Sequence, residues 1–109
     1  MSIEVALDEL VAEVTRRGPG YLLTTVADGR PHVMHVSFDT EGVSLSCDVG
    51  RSARRNIEAQ PAVTLLWPAA EPGGYSLIVD GSATVASAEG TAGGRVTVDP
   101  SHAVLHRPA

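Results

Sequence analysis

From Tyr21 to Asp99 the chain is a succession of short segments with a two-residue rhythm, cut at intervals by glycine, proline and aspartate. Successive side chains of a strand point to opposite faces, so this rhythm predicts strands with one covered face. VSLSCD at 43–48 alternates strictly: Val43, Leu45 and Cys47 point one way, and Ser44, Ser46 and Asp48 the other. PHVMHVSF at 31–38 places Met34, Val36 and Phe38 on one face and His35 and Ser37 on the other, with Pro31 at the strand opening, where proline is tolerated. YLLTTV at 21–26 precedes it across ADGR, a hairpin signal. DTEG turns the chain before Val43, and AVTLLW at 62–67 is apolar enough for a strand covered on both sides. PAAEPGG is a loop, and YSLIVDGSATVA at 75–86 reads as a long strand kinked at Gly81. SAEGTAGG forms a turn, RVTVD at 95–99 pairs back across it, and PSHAVLHRPA adds a last extended piece. About six short strands joined by tight turns predict a mainly β fold, a small closed antiparallel barrel without exposed edges.

Helical periodicity marks two places at the edge of this barrel. Ile3, Leu7, Leu10, Val11 and Val14 share one face of a 3.6-residue period, which predicts a helix over 2–17 capped by Ser2. Glu4 suits its positive end, Arg16 and Arg17 its negative end, and GPG at 18–20 stops it. A short helix is expected over 52–59, with Ser52 as N-cap and Pro61 beyond its end.

With 109 residues, 43% of them hydrophobic, there is material for one core, and a single domain over 1–109 is expected. The net charge of −5 excludes the broad basic face of a general nucleic-acid binder. All eight basic residues are arginine, which with abundant Ala, Val and Gly points to a high-GC bacterial source. Cys47 is the only cysteine, so no intramolecular disulfide is available. MSIEVALDEL is acidic and amphipathic, unlike a secretory signal, and no apolar run approaches the roughly 20 residues that span a bilayer. A soluble cytoplasmic domain with no membrane partner is expected.

Against that acidic background Arg51, Arg54 and Arg55 crowd the start of the second helix. A cation at the positive end of a helix is misplaced by about 0.3–1 kcal/mol. A bound phosphate reverses the sign, because free backbone N–H groups, the dipole and the guanidinium groups then converge on it. The alternative is a solvated face with Asp48 and Glu58 as counter-charges, Arg54 and Glu58 forming an i,i+4 pair in the weaker order. Spacing alone leaves both open. His35 shares a face with Ser37 and suits either a ligand contact or a structural role, while His32 falls on the opposite face, which argues against a joint metal site. His102 and His106 have helical i,i+4 spacing, but their stretch looks extended and carries no HExxH and no third ligand. Cys47 lies on the apolar side of its strand, the place of a buried, inert thiol. A Walker loop needs a lysine, and there is none. Trp67 and Tyr75 flank PAAEPGG, either as core and rim packing or as stacking surfaces for a planar ligand. Residue chemistry stops at a small barrel with a candidate phosphate site.

GRPHVMHVSFDTEGVSLSCDVGRSARRNIEAQPAVTLLWP, residues 29–68, resembles the split-barrel flavin and deazaflavin binding family, the pyridoxamine 5′-phosphate oxidase-like proteins. The shared pattern is a hairpin with G-x-P, a strand beginning G-V-x-L and ending in small polar residues, a basic helix containing N-I, and P-x-V-x-L with an aromatic residue. The similarity runs from about Tyr21 to Val85 and is most specific from Gly50 to Leu66. It implies a split β-barrel homodimer with a cofactor across the barrel at the interface: FMN or the deazaflavin coenzyme F-420, with FAD as a further option. The implied activity passes a hydride between that cofactor and a small organic acceptor. Carried over by position, Ser46, Cys47 and Asp48 with Arg51, Ser52, Arg54 and Arg55 face the phosphate-bearing tail, and His35 and Ser37 lie near the ring system. No catalytic residue is implied, since the cofactor carries the chemistry. The lysine usual in the first turn of the family's helix falls on Ala53, and the basic residue that flavin-binding oxidases place at the second strand's start falls on Pro31. The alternatives are a flavin-sequestering or carrier module, or a haem-handling protein of the same fold in which His102 or His106 matters.

Overall fold

The computed structural model describes residues 2–87 and 93–108, with only the backbone of residue 87. In chain order the elements are β1 (Ser2–Glu4), a 3-10 turn (Leu7–Glu9), α1 (Leu10–Arg17), β2 (Gly20–Thr25), β3 (Pro31–Val36) and β4 (Asp39–Glu41). They continue with β5 (Ser44–Val49), α2 (Arg51–Ala59), β6 (Ala62–Trp67), β7 (Ser76–Ser87) and β8 (Gly94–His106). The strands form one antiparallel sheet in the order β3-β2-β6-β7-β8-β5-β4, with β1 added to β8. The two end strands, β3 and β4, are consecutive in the chain and separated only by Ser37 and Phe38. The sheet therefore curls until its ends are close, yet β3 and β4 share no ladder. The result is a split barrel, not the closed one that the turn pattern suggested.

Two short strands, β1 and β4, bring the number above the expected six. DTE at 39–41 was expected within a turn; it pairs with Ser44–Ser46 before the chain reverses at Gly42. Ser2–Glu4 was expected in a helix and is instead a strand. Its reason lies in β8, whose first half pairs with β5 over residues 94–98. Beyond that point the edge is open, and Ser2, Ile3 and Glu4 fill it against His106, Leu105 and Val104. Val5 N–H then donates to Ala103 C=O at 2.9 Å, and the Ser2 hydroxyl meets His106 Nδ1 at 3.1 Å instead of capping a helix. The helix proper begins at Leu10 and buries Leu10 and Val14, while Ile3 and Leu7 of the expected apolar face stay exposed. It ends at Gly18, as anticipated. The expected kink in β7 coincides with a register shift between Asp80 and Gly81. The turn expected over 87–94 lies largely outside the described residues.

The core fills the curl. Leu22, Leu45, Cys47, Leu65, Trp67, Leu77, Val79, Val96 and Val98 come from β2, β5, β6, β7 and β8 and are fully buried. AVTLLW is covered mainly on one side, with Val63, Leu65 and Trp67 inside and Thr64 and Leu66 half-buried outside. Trp67 is core: its indole N–H donates to Gly18 C=O at 2.8 Å, and its ring packs on Phe38 with centroids 5.1 Å apart. A Cβ on Gly20 would lie 2.7 Å from this indole. Gly20→Ala should therefore cost about 1–3 kcal/mol, the usual cost of overpacking, in chemical denaturation. A Gly20→Ala/Trp67→Phe double-mutant cycle should show a coupling energy above about 0.5 kcal/mol; additive effects would mean that the indole is not what excludes a side chain at position 20.

Candidate functional site

Helix α2 turns Ala53 and Ile57, one helical turn apart, into the core, with 1% and 2% exposure. Its other faces carry Arg51, Ser52, Arg54, Arg55 and Glu58. Gly50, not Ser52, stands at the N-cap, and no side chain caps the helix. The main chain at Gly93 lies over this end: a Cβ on Gly93, whose φ is +118°, would sit 2.6 Å from Arg51 N. Ser52 is therefore inside the first turn rather than before it. Arg54 folds back, donating from Nη1 to Gly93 C=O at 3.1 Å and lying 3.7 Å from Glu58, the counter-charge expected for it. Arg51 and Arg55 are exposed and have no ion-pair partner among the described residues.

Beside this helix lies the end of the β2–β3 hairpin. Ser52, Arg55 and Asn56 face Val26, Arg30, Pro31 and His32 across a cavity of about 320 Å³. Among the described residues no carboxylate lines it. Asn56 Nδ2 donates to Thr24 Oγ1 at 3.0 Å, tying α2 to β2, and Arg30 pairs with Asp28 of its own turn at 3.2 Å. His32 Nδ1 is buried without a hydrogen-bond partner. A smaller hollow of about 210 Å³, lined by Arg51, Arg54, Arg55 and Glu58, adjoins the first, with Arg55 common to both. Sequence reasoning missed Arg30 and His32. The available signal was that His32 shares the inward face of β3 with Met34 and Val36, next to a hairpin turn.

The remaining expected residues are dispersed. Ser46 and Asp48 point outward from β5 and are held by Arg95 of β8, which donates to each at 3.0 Å and also pairs with Asp39. The hydrogen bonds to Asp39 and Asp48 hold the Arg95 guanidinium above its ordinary pKa. Asp48 is thus the counter-charge of Arg95, not of the helix cluster. Cys47 is fully buried, and burial pushes its thiol up to about 12. His35 is exposed and stacks on Tyr21 with centroids 4.9 Å apart. Ser37 lies just beyond β3 in a separate hollow of about 380 Å³ that it shares with Val14, Thr15, Phe38 and Thr40. At the strand rise, His35 is about 10 Å along β3 from His32. The structure thus gathers Arg51, Ser52 and Arg55 at one end of β3 and leaves His35 and Ser37 at the other. His102 and His106 lie in extended β8, about 13 Å apart at the same rise. Among the described residues no group of three or more His, Cys, Asp or Glu could hold a metal ion. None of their helices is long and apolar enough to cross a membrane.

The sequence model of one family, described as Pyridoxamine 5'-phosphate oxidase, matches residues 6–104, and the chain belongs to that family. An uncharacterised protein of Mycobacterium bovis is 47% identical over 64 residues, 56% of this chain and 44% of the relative. A Mycobacterium tuberculosis protein, also uncharacterised, matches to the same extent. The chain thus spans less than half the length of these relatives. Among solved structures, HupZ of Group A Streptococcus superposes with a TM-score of 0.74 at 10% identity, over 93% of this chain and all of that one. HutZ, the haem storage protein of Vibrio cholerae, gives 0.67 at 18% identity, over 89% of this chain and 92% of that one. An F-420 reductase gives 0.61 at 24% identity, over 80% of this chain and 89% of that one. These likenesses establish the fold.

The placement of Cys47 has a direct chemical consequence. A thiol that ionises only near pH 12 is no nucleophile at neutral pH. In the native protein at pH 8, Cys47 should resist a chromogenic disulfide reagent, and one thiol per chain should react once denaturant is added. Rapid labelling of the folded protein would show that the thiol is accessible.

Proposed function

We propose that this protein holds a flavin-type cofactor, FMN or coenzyme F-420, and passes a hydride between it and a small organic acceptor. The observation that carries the reading is the pair Arg51 and Arg55, one helical turn apart beside Ser52 and without an ion-pair partner among the described residues, in a chain of net charge −5. Like charges at i,i+4 repel. An anion between them replaces that repulsion with charge-assisted hydrogen bonds. The donor set fits a phosphoryl group: two guanidinium groups, a hydroxyl, a neighbouring cavity with no acidic side chain among the described residues, and a buried imidazole nitrogen without a partner. A bound flavin or deazaflavin supplies the hydride chemistry itself. The chain's part is to grip the anionic end at α2 and to orient the ring system along β3, toward His35 and Ser37.

One protomer encloses neither end, and this supports a homodimer. Val33 and Leu23 pair across β3 and β2, and Tyr21, Leu66, Ile78 and Val104 form the next row across β2, β6, β7 and β8. Five are apolar and the sixth, Tyr21, presents an aromatic ring; all six face outward and keep part of their surface in solvent, and Val33 is 53% exposed. A second copy laid on this face buries them and shelters the ring. Val33→Glu should turn the dimer into a monomer by light scattering and weaken cofactor binding at least tenfold. A monomer that binds equally well would place the whole site within one protomer.

Titration with FMN, FAD and F-420, followed by absorbance and fluorescence, tests the main reading. Arg51→Gln/Arg55→Gln should lose about 1–3 kcal/mol of binding for each charged hydrogen bond removed. Arg54→Gln should lose less, because Arg54 is already engaged by Gly93 and Glu58. Absence of binding by all three cofactors would overturn the reading. Tight binding with no hydride passed to any acceptor would leave a sequestering or carrier protein. Haem handling is the second reading, supported by His102, which is exposed on the outer face between Glu4 at 3.6 Å and Asp80 at 3.8 Å. A Soret band in the presence of haem that is lost in His102→Ala would favour it.

A further inference from the structure

We propose that the cavity between the end of α1 and the β6–β7 loop binds a small aromatic zwitterion, a flat ring with a carboxylate at one end and an ammonium group at the other. This cavity shares no lining residue with the hollows beside α2, and its occupation requires nothing of them.

Its volume is about 330 Å³, enough for a small molecule. Arg16 and Arg17 border it from α1 and Glu71 from the loop, while Pro19, Pro68 and Tyr75 supply apolar surface. The loop wall is ordered by its own hydrogen bonds. Gly74 N–H donates to Glu71 C=O at 3.0 Å, across a turn in which Gly73 has a φ of +81°, and Ala69 N–H donates to the Ser76 hydroxyl at 3.2 Å. Trp67 and Tyr75, which flank this loop in the sequence, take different parts. Trp67 is core, whereas Tyr75 is half-buried. The Arg107 guanidinium lies over the Tyr75 ring at 4.8 Å, and Arg107 does not line the cavity. The ring thus carries a cation on one side and borders the cavity on another, where a flat ligand can stack.

Charge fixes the ends of that ligand. Glu13 serves both arginines of α1: it pairs with Arg16 and accepts from Arg17 Nε at 3.2 Å. One carboxylate between two guanidinium groups leaves one positive charge in excess. Arg17 is the more fully engaged, since it also donates to Trp67 C=O at 3.4 Å and is 17% exposed. Arg16, 69% exposed, keeps donors for a ligand carboxylate. Glu71 is exposed and has no ion-pair partner among the described residues. An excess cation and an unpaired carboxylate bordering one ring-lined space complement a molecule that carries both opposite charges. A ring with one charge satisfies only one of them.

The probes are para-(aminomethyl)benzoate, benzoate and benzylamine, which at pH 7 carry both charges, the negative one alone and the positive one alone. Binding is followed by calorimetry and by the emission of Trp67, the only tryptophan, which borders the cavity. At low salt the zwitterion should bind about threefold more tightly than either of the others, the scale of one exposed charge pair. Glu71→Gln should bring its affinity down to that of benzoate, with unchanged benzoate binding showing that the variant is folded. Tyr75→Leu, which keeps apolar bulk and removes the ring, should weaken all three about fivefold. No binding of the zwitterion at about ten millimolar would overturn the proposal. Equal affinity of the three probes would do so as well, as would a preference that Glu71→Gln leaves unchanged or a Tyr75→Leu variant that binds all three like the unaltered protein.

Discussion

The indole of Trp67 joins parts of the chain that have no other reason to meet. Its N–H holds Gly18 at the end of α1, its flat face excludes any side chain at Gly20 where β2 begins, and its ring tilts against Phe38 in the two-residue link between β3 and β4. Arg17 adds a longer contact, 3.4 Å, to Trp67 C=O. A sheet whose end strands are consecutive has to bend sharply somewhere, and the bend needs something large to wrap around. Trp67 supplies that volume with its only polar atom satisfied, which is the condition for burying an indole without penalty. The curl of the sheet follows from it. So does the separation of β3 into an end near α1, where Ser37 lies, and an end near α2, where His32 lies.

The electrostatics of α2 follow from its burial. Ala53 and Ile57 commit one face to the core, so every charged residue of the helix crowds the remainder. Of the three arginines there, only Arg54 finds partners among the described residues, in Gly93 and Glu58. The carboxylate that stood nearest in sequence, Asp48, is drawn away by Arg95, whose guanidinium also gathers Asp39 and Ser46. That network pins the three-residue β4 against β5 and β8. It serves the barrel, and it leaves Arg51 and Arg55 without an ion-pair partner among the described residues.

Period-two alternation made the strands legible, because one face of each is buried: Leu45 and Cys47 in β5 and Val36 in β3 lie inward as their positions require. The family resemblance added the split barrel. Ser2–Glu4 was illegible because its apolar spacing suits a helix, and only the free edge of β8, more than ninety residues away in sequence, makes it a strand. Arg95 was illegible for the same reason: its partners lie on β4 and β5, and no local pattern reveals a cross-strand ion pair. At the candidate site the arginine cluster announced itself by contradicting the helix dipole. Arg30 and His32 carried no such contradiction. Their relevance depends on Asn56 bonding to Thr24, which brings the helix beside the hairpin.

Under the proposed function, position 53 bears on where the anionic end of a cofactor is met. It is buried, so a lysine there would have to run its stem along apolar surface to bring its charge out near the helix mouth. Alanine gives up that charge and packs cleanly. The helix mouth itself is covered by the Gly93 main chain and has no capping side chain. Arg51 and Arg55, unpaired among the described residues, stand further round the helix, at roughly 100° per residue from the buried face. Arg55, a full turn beyond Arg51, faces Arg30 and His32 rather than the end of β5. Under the proposed function, the alanine at position 53 and the placement of the cations toward the hairpin thus go together. Under the proposed function, an anion is accordingly met at the side of α2, next to β3, rather than at the helix tip.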